Sequence, residues 1–174
     1  MHTSLSTGKS ASVPDAVRQQ IMAHAQGQPV HQVVCGPWSE MMDGARAVRT
    51  AVFVQEQAID EADEWDDDDA AAIHAVATNL AGLPLATGRL IHAGLAPGHA
   101  KIGRMAVLRS TRGVGLGDLV LLALMGQARQ MGISHLSLHA QVSAQPFYAR
   151  HGFTPQGDEF DEVGIPHVRM VLTL

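Results

Sequence analysis

Hydrophobic positions along the chain change period several times, and each change marks an element. VHQVVCG (30–36) reads as a first strand. From Trp38 to Gln57 the apolar positions Ala45, Val48, Val52 and Phe53 recur at helical spacing, and Ser39, just before Glu40, suits an N-cap. AIHAVATNL (72–80) and LATGRLI (85–91) read as strands joined by the turn Ala81-Gly82-Leu83-Pro84. A second turn region at 92–99 leads to AKIGRMAVL (100–108), a strand apolar enough to be covered on both faces. The glycine-rich loop RSTRGVGLGD (109–118) enters a strongly apolar helix over 119–131, with Gly132 placed to stop it. A strand at 133–140, a short helix at 144–150 ended by Gly152, and two strands near 153–160 and 167–173 complete the pattern. The order βα, ββ, β-loop-α, βα, ββ predicts an α+β (mixed α/β) single sheet, and no internal repeat is present.

Length and composition narrow the picture. The chain has 174 residues, 46% hydrophobic and 17% charged, which is one domain's worth of ordinary globular usage. Residues 1–29 are rich in Ser, Gln, Ala and His. They read as an N-terminal extension, helical over PDAVRQQIMAHA or flexible, ahead of a domain over 30–174. The single cysteine, Cys35, forbids an intrachain disulfide and reads as a small buried residue of an apolar strand. No apolar run approaches the roughly 18 residues of a membrane span, and the N-terminus has no apolar core of signal-peptide type. The expectation is a cytoplasmic protein with no membrane partner.

The net charge of −5 is unevenly spread. Asp60 to Asp69, DEADEWDDDD, holds eight acids in ten positions. Such a block reads as a solvated, mobile loop, although Trp65 inside it points to part of the loop packing down over a substrate mouth. It has no glycine and is no calcium loop. The remainder is weakly basic, with Arg89, Lys101, Arg104, Arg109 and Arg112 in one stretch. That footprint is too small for general nucleic-acid binding but suits one phosphate-bearing ligand. Arg104, among apolar neighbours, needs an acidic partner, either Glu56 or an acid of the loop. Arg89 and Lys101 read as rim contacts to a phosphate or as surface charges. His135 and His139 are four apart on a strand, which holds them about 13 Å apart, too far for one zinc, so no metal is expected.

The sharpest local signal is a strand ending at Val107-Leu108, then Arg112-Gly113-Val114-Gly115-Leu116-Gly117, then a long helix. Glycines that turn a strand into a helix N-terminus leave amide N–H groups pointing outward in a field that favours an anion. The dinucleotide pattern fails, because it needs glycine at Asp118 or Val120. Gly8-Lys9-Ser10 only hints at a Walker loop, since the first glycine of that pattern falls on Thr3. The pattern R/Q-x-x-G-x-G/A is met by Arg112, Gly115 and Gly117. On the glycines alone, a plain strand-to-helix turn without ligand stays equally open.

The wider context is more specific. IGRMAVLRSTRGVGLGDLVLLALMGQA and then LSLHAQVSAQPFYARHGF resemble the two central motifs of the GNAT superfamily of N-acetyltransferases. VRTAVFVQEQ, DAAAIHAVA, ATGRL and DEFDEVGIPHVRM resemble a branch of small bacterial acyltransferases within it, so that the likeness spans about residues 30–174. The resemblance implies a single domain with a central, mostly antiparallel, splayed sheet flanked by helices. It implies acetyl-CoA as cosubstrate, its diphosphate on Arg112, Gly113, Val114, Gly115, Leu116 and Gly117, and its pantetheine arm beside Met105, Ala106 and Val107. Gln141 stands where the family usually has Asn, and Tyr148, the only tyrosine, stands where a general acid protonates the leaving thiolate. The implied reaction is direct acetyl transfer to a primary amine of a small molecule or peptide, with a homodimer left open. Two other readings are a CoA-binding sensory module without catalysis and an acyltransferase using acyl-carrier-protein donors, because VRTAVFVQEQ also resembles signal synthases of the same fold.

The chemistry agrees. An amine of pKa about 10 must lose a proton before it attacks. Candidates for the base, or for orienting the acceptor, are Glu56, Glu64, His74 and His167. Attack is direct, so Cys35 is not needed as a nucleophile.

Overall fold

The computed structural model describes residues 29–174, together with Asp15, Arg18, Met22 and Ala25–Gly27 of the N-terminal segment. Asp15, Arg18, Met22 and Ala25 have helical backbone, and the rest of the helix expected there lies outside the described residues. Seven strands form one sheet in the order β1-β2-β3-β4-β5-β7-β6. They are β1 (His31–Pro37), β2 (Ile73–Asn79), β3 (Pro84–Ile91), β4 (His99–Val107), β5 (His135–Gln141), β6 (Thr154–Glu162) and β7 (Ile165–Thr173). Every pairing is antiparallel except β4 with β5, the one pair joined through a long crossover.

Helix α1 (Trp38–Arg49) follows β1 directly and runs on as a π-helical segment, Thr50–Glu56. Its N-cap is Pro37, with no side-chain cap, so Ser39 does not play the role expected of it. Proline ahead of the first turn removes one donor that the helix would otherwise leave unpaired. Helix α4 (Leu116–Gln130) connects β4 to β5 and buries Leu116, Val120, Leu121, Leu124, Met125 and Ala128. Strand alternation puts the two helices on opposite faces. Ala75 and Ala77 of β2 join the core under α4, whereas Val76 lies against Gly44 of α1.

One irregularity decides the shape of the centre. Opposite β3, strand β4 carries an extra residue: Thr87 faces Ala106, yet Arg89 faces Gly103. At this β-bulge Arg104 adopts φ +50, a left-handed conformation rare for a side chain of its size. The bulge reverses the alternation. Ala100 and Ile102 point to the α4 face before it, Met105 and Val107 do so after it, and Ala106 joins the Val48–Val52–Phe53 cluster on the other face. Gly88 makes room, because a Cβ there would stand 2.5 Å from the Met105 sulfur.

The acidic run is only partly the solvated loop expected: Asp60, Glu61, Asp63, Asp66, Asp67 and Asp68 are exposed, but Glu64 and Asp69 are buried. It folds into two short helices, α2 (Glu61–Glu64) and α3 (Asp68–Ala71), and it docks against arginines of α1, β3 and β4. Arg49, 1% exposed, donates to Glu64 and to Asp69 at 2.7 Å. Arg89, 4% exposed, donates to Asp66 and to Asp69 at 2.6 Å, which corrects its reading as a phosphate contact or surface charge. Arg104 reaches the Glu64 carboxylate at 3.2 Å, the Glu64 carbonyl and Asp66, so its expected acid lies in this run and not at Glu56. Trp65 packs under two guanidinium groups, Arg46 at 4.7 Å and Arg49 at 4.6 Å from the ring centroid. Three buried or half-buried arginines against three acids neutralise one another, which is what permits the segment to sit down on the sheet.

Candidate active site

Strands β4 and β5 pair only over His99–Ile102 and His135–Leu138. Beyond that point the bulge carries β4 away, and among the described residues Gly103–Val107 and His139–Gln141 have no strand partner on their facing edges. The sheet opens into a wedge whose walls carry unpaired backbone donors and acceptors. An extended ligand with its own amides can complete such an edge.

At the head of the wedge, β4 gives way to a 3₁₀ turn (Arg109–Thr111) and the glycine loop. Gly113 and Gly115 both have φ +85, and Gly115 is the N-cap of α4. Nothing lies within 4 Å of where a Cβ on Gly113 would be, so the loop backbone faces open space. Arg112 leans over the loop. It donates through Nε to the Val107 carbonyl at 3.1 Å and forms a two-pronged ion pair with Glu56 at 2.7 and 2.8 Å. Asp118, in the first turn of α4, accepts from His151 Nε2 at 2.7 Å.

Two cavities meet in the wedge. The larger, about 550 Å³, runs from the glycine loop along Met105, Ala106 and Val107 to Gln141, Ser143, Phe147 and Tyr148. The smaller, about 310 Å³, lies on the other side, between the docked acidic segment and β5–β7. Gln57, Met105, Gln141, Ala144 and Tyr148 line both. Tyr148 comes from α5 (Gln145–Arg150), which follows β5 and stops at Gly152, φ +88. Its ring meets Phe147 and Phe153 edge-on, and burial pushes its hydroxyl up to about 12. The phenol is therefore a proton donor at any physiological pH. Gln141 donates to the Gln57 side chain at 3.1 Å, which bridges β5 to the end of the π-helical segment.

A family model described as an acetyltransferase (GNAT) domain matches residues 51–174. The chain belongs to the GNAT family. An uncharacterized N-acetyltransferase of Bacillus subtilis, YjcF, is 35% identical over 133 residues, which cover 76% of this chain and 92% of that one. A solved acyl-CoA N-acyltransferase from Pseudomonas aeruginosa superposes with a TM-score of 0.71 at 29% identity, over 81% of this chain and 98% of that one. A CoA-dependent acyl-homoserine lactone synthase, BjaI, shares the fold with a TM-score of 0.68 at 16% identity, over 82% of this chain and 83% of that one.

GNAT proteins use an acyl-CoA as cosubstrate, and the larger cavity fits one. The open glycine backbone at the start of a 15-residue helix suits a diphosphate, and the free edge of β4 suits a chain of amides. Met105, Ala106, Val107, Arg112, Gly113, Gly115, Leu116, Gly117 and Gln141 line this cavity, and Val114 is exposed on the loop beside it. In this GNAT chain the four candidates for the acceptor side separate. His167 and Glu64 line the smaller cavity, whereas His74 and Glu56 line neither. His74 is buried against Trp38, with Nε2 2.9 Å from the Asp69 carbonyl. Desolvation holds it below its ordinary range, and its place outside both cavities sets it apart from the acceptor side where the sequence had it as a candidate. Glu56 is tied to Arg112, whose hydrogen bond to it lowers its carboxyl. Burial raises Glu64, outweighing the arginines around it. Cys35 lies on β1 away from both cavities, and burial raises its thiol, consistent with an inert side chain. Three further residues of the smaller cavity, Lys101, His139 and Glu162, are not among the acceptor-side candidates that the sequence offers. Only the register of β4, β5 and the β6–β7 hairpin brings them together. Among the described residues no cluster suits a metal ion, and no helix is long and apolar enough to cross a membrane.

Proposed function

We propose that residues 30–174 form an acyltransferase domain, carrying residues 1–29 as an extension, that moves an acetyl group from acetyl-CoA directly to the primary amine of a small molecule or peptide. One observation carries this reading: two cavities of different character join at Met105, Gln141 and Tyr148, where the sheet opens. When bound, acetyl-CoA supplies an acyl carbon activated as a thioester. The amides of Gly113–Gly117 and the charge of Arg112 hold its diphosphate. Met105–Val107 offer backbone groups to its amides, and one of these N–H groups faces the carbonyl as oxyanion charge develops.

Tyr148 works at the sulfur. A phenol pushed up to about 12 is a weaker acid than a thiol of pKa about 8.5, so complete proton transfer between them runs uphill. Tyr148 therefore acts by donating a hydrogen bond as negative charge builds on the departing sulfur. The smaller cavity is the acceptor's. Titration of the protein with acetyl-CoA by calorimetry, followed by mass analysis of an amine panel, tests the reading. No heat of binding at millimolar acetyl-CoA overturns it.

A further inference from the structure

Acyl transfer to an amine needs a proton acceptor on the amine's side, and the geometry points to His167. This inference rests on the reaction proposed above. In the β5–β7 register His167 stands directly opposite Gln141, so their side chains share a face at a Cβ separation of about 4.5–5.5 Å. Gln141 lines both cavities and His167 lines the smaller one alone. The imidazole thus lies beside the junction, on the acceptor side. Its Nδ1 is 2.8 Å from the Ile165 carbonyl. A carbonyl only accepts, so Nδ1 carries the hydrogen, and in the neutral ring the lone pair is then on Nε2. Burial to 9% exposure and stacking on Phe160, at 6.1 Å and 26°, fix the ring plane.

The alternatives are worse placed. Both Glu64 oxygens are held by guanidinium groups of Arg49 and Arg104, and protonating it would deprive the buried Arg49 of one of its two acids. His139 sits two residues back along β5 from Gln141, about 7 Å nearer the point where β4 and β5 part, where it is exposed and turned to Glu162 at 3.1 Å. In the proposed step one proton of the substrate ammonium passes to His167 Nε2 and the freed nitrogen lone pair forms the N–C bond. The C–S bond breaks, the second nitrogen proton ends on the departing sulfur, and His167 returns its proton to water. One proton is released per turnover.

Nitrogen NMR of the full chain labelled with ¹⁵N-histidine, with His167 assigned through His167→Gln, reads the tautomer directly. A protonated Nδ1 and bare Nε2 are expected, and a hydrogen on Nε2 overturns the inference. Kinetics with acetyl-CoA and spermidine, phenylethylamine or a free tripeptide give the second readout. His167→Gly should lower kcat by about 100-fold or more, leave acetyl-CoA affinity by calorimetry unchanged, and recover turnover with added imidazole. Unchanged kcat, absence of rescue, or rescue at His139→Gly in its place overturns the assignment. Failure of acetyl-CoA to bind the wild-type chain would instead refute the acyltransferase reading, and the nitrogen spectrum would still report the tautomer.

Discussion

Asp69→Asn is the sharpest probe of how the acidic segment is held. The Asp69 side chain is 6% exposed, and one of its oxygens accepts from both Arg49, at 2.7 Å, and Arg89, at 2.6 Å. The substitution keeps the shape, removes the charge and leaves two buried guanidinium groups short of a counter-ion. Breaking a buried ion pair from one side costs about 3–5 kcal/mol, a large share of the roughly 5–15 kcal/mol that a domain has in total. At about 2–4 °C per kcal/mol for a chain of this size, the melting temperature should fall by roughly 6–20 °C. Urea unfolding followed by tryptophan fluorescence, checked by calorimetry, measures it. Combining Asp69→Asn with Arg89→Met should cost less than the two changes summed, because both remove the same Arg89–Asp69 ion pair. A loss under about 1 kcal/mol would refute the reasoning, since exposed ion pairs are worth no more than that.

Three further outcomes are expected. Gly115→Glu should abolish acetyl-CoA binding in calorimetry, because it places a carboxylate at the head of α4 and forces a side chain into φ +85; retained affinity would remove the diphosphate from that loop. Tyr148→Phe should lower kcat by about 10²-fold with little change in acetyl-CoA affinity, and steady-state kinetics with unchanged turnover would exclude the phenol from the reaction. His74, lowered by desolvation from 6.5, binds its proton less readily folded than unfolded. Its share of stability is full above about pH 6.5 and is lost as the pH falls toward the folded value. His74→Gln should flatten that loss in melting curves taken between pH 7 and 5, and an identical slope in the variant would contradict it.

What the sequence makes legible follows the range of the interactions. Strand and helix positions come through because period and glycine punctuation are local: the turn between β2 and β3 and the stop at Gly132 lie where the pattern puts them, although β3 already begins at Pro84 and α4 at Leu116, three residues earlier than the glycine loop suggests. The fate of the acidic run does not. Its partners, Arg89 and Arg104, are 23 and 38 residues away from Asp66, and nothing local distinguishes a neutralised charge block from a solvated one. Asp66 shows the balance: burial pushes it up, and hydrogen bonds and charge from Arg89, then Arg104 and Arg49, bring it below the ordinary range. The same limit hides the bulge at Arg104, which is a matter of register between two strands, and the gathering of Lys101, His139 and Glu162 in one cavity. Ser39 was a local signal, but the strand runs straight into the helix through Pro37, which leaves no room for a hydroxyl cap.

The parting of β4 and β5 has a consequence for how the protein survives in a crowded solution. A strand edge with free amides on the outside of a molecule invites foreign strands and is a recognised aggregation hazard. Here the bare edges look at each other, roofed by the π-helical segment on one side and α5 on the other. A thin, flexible chain can slip between them, but another protein's sheet cannot dock there. The fold keeps an adhesive surface for one kind of visitor while denying it to its own neighbours.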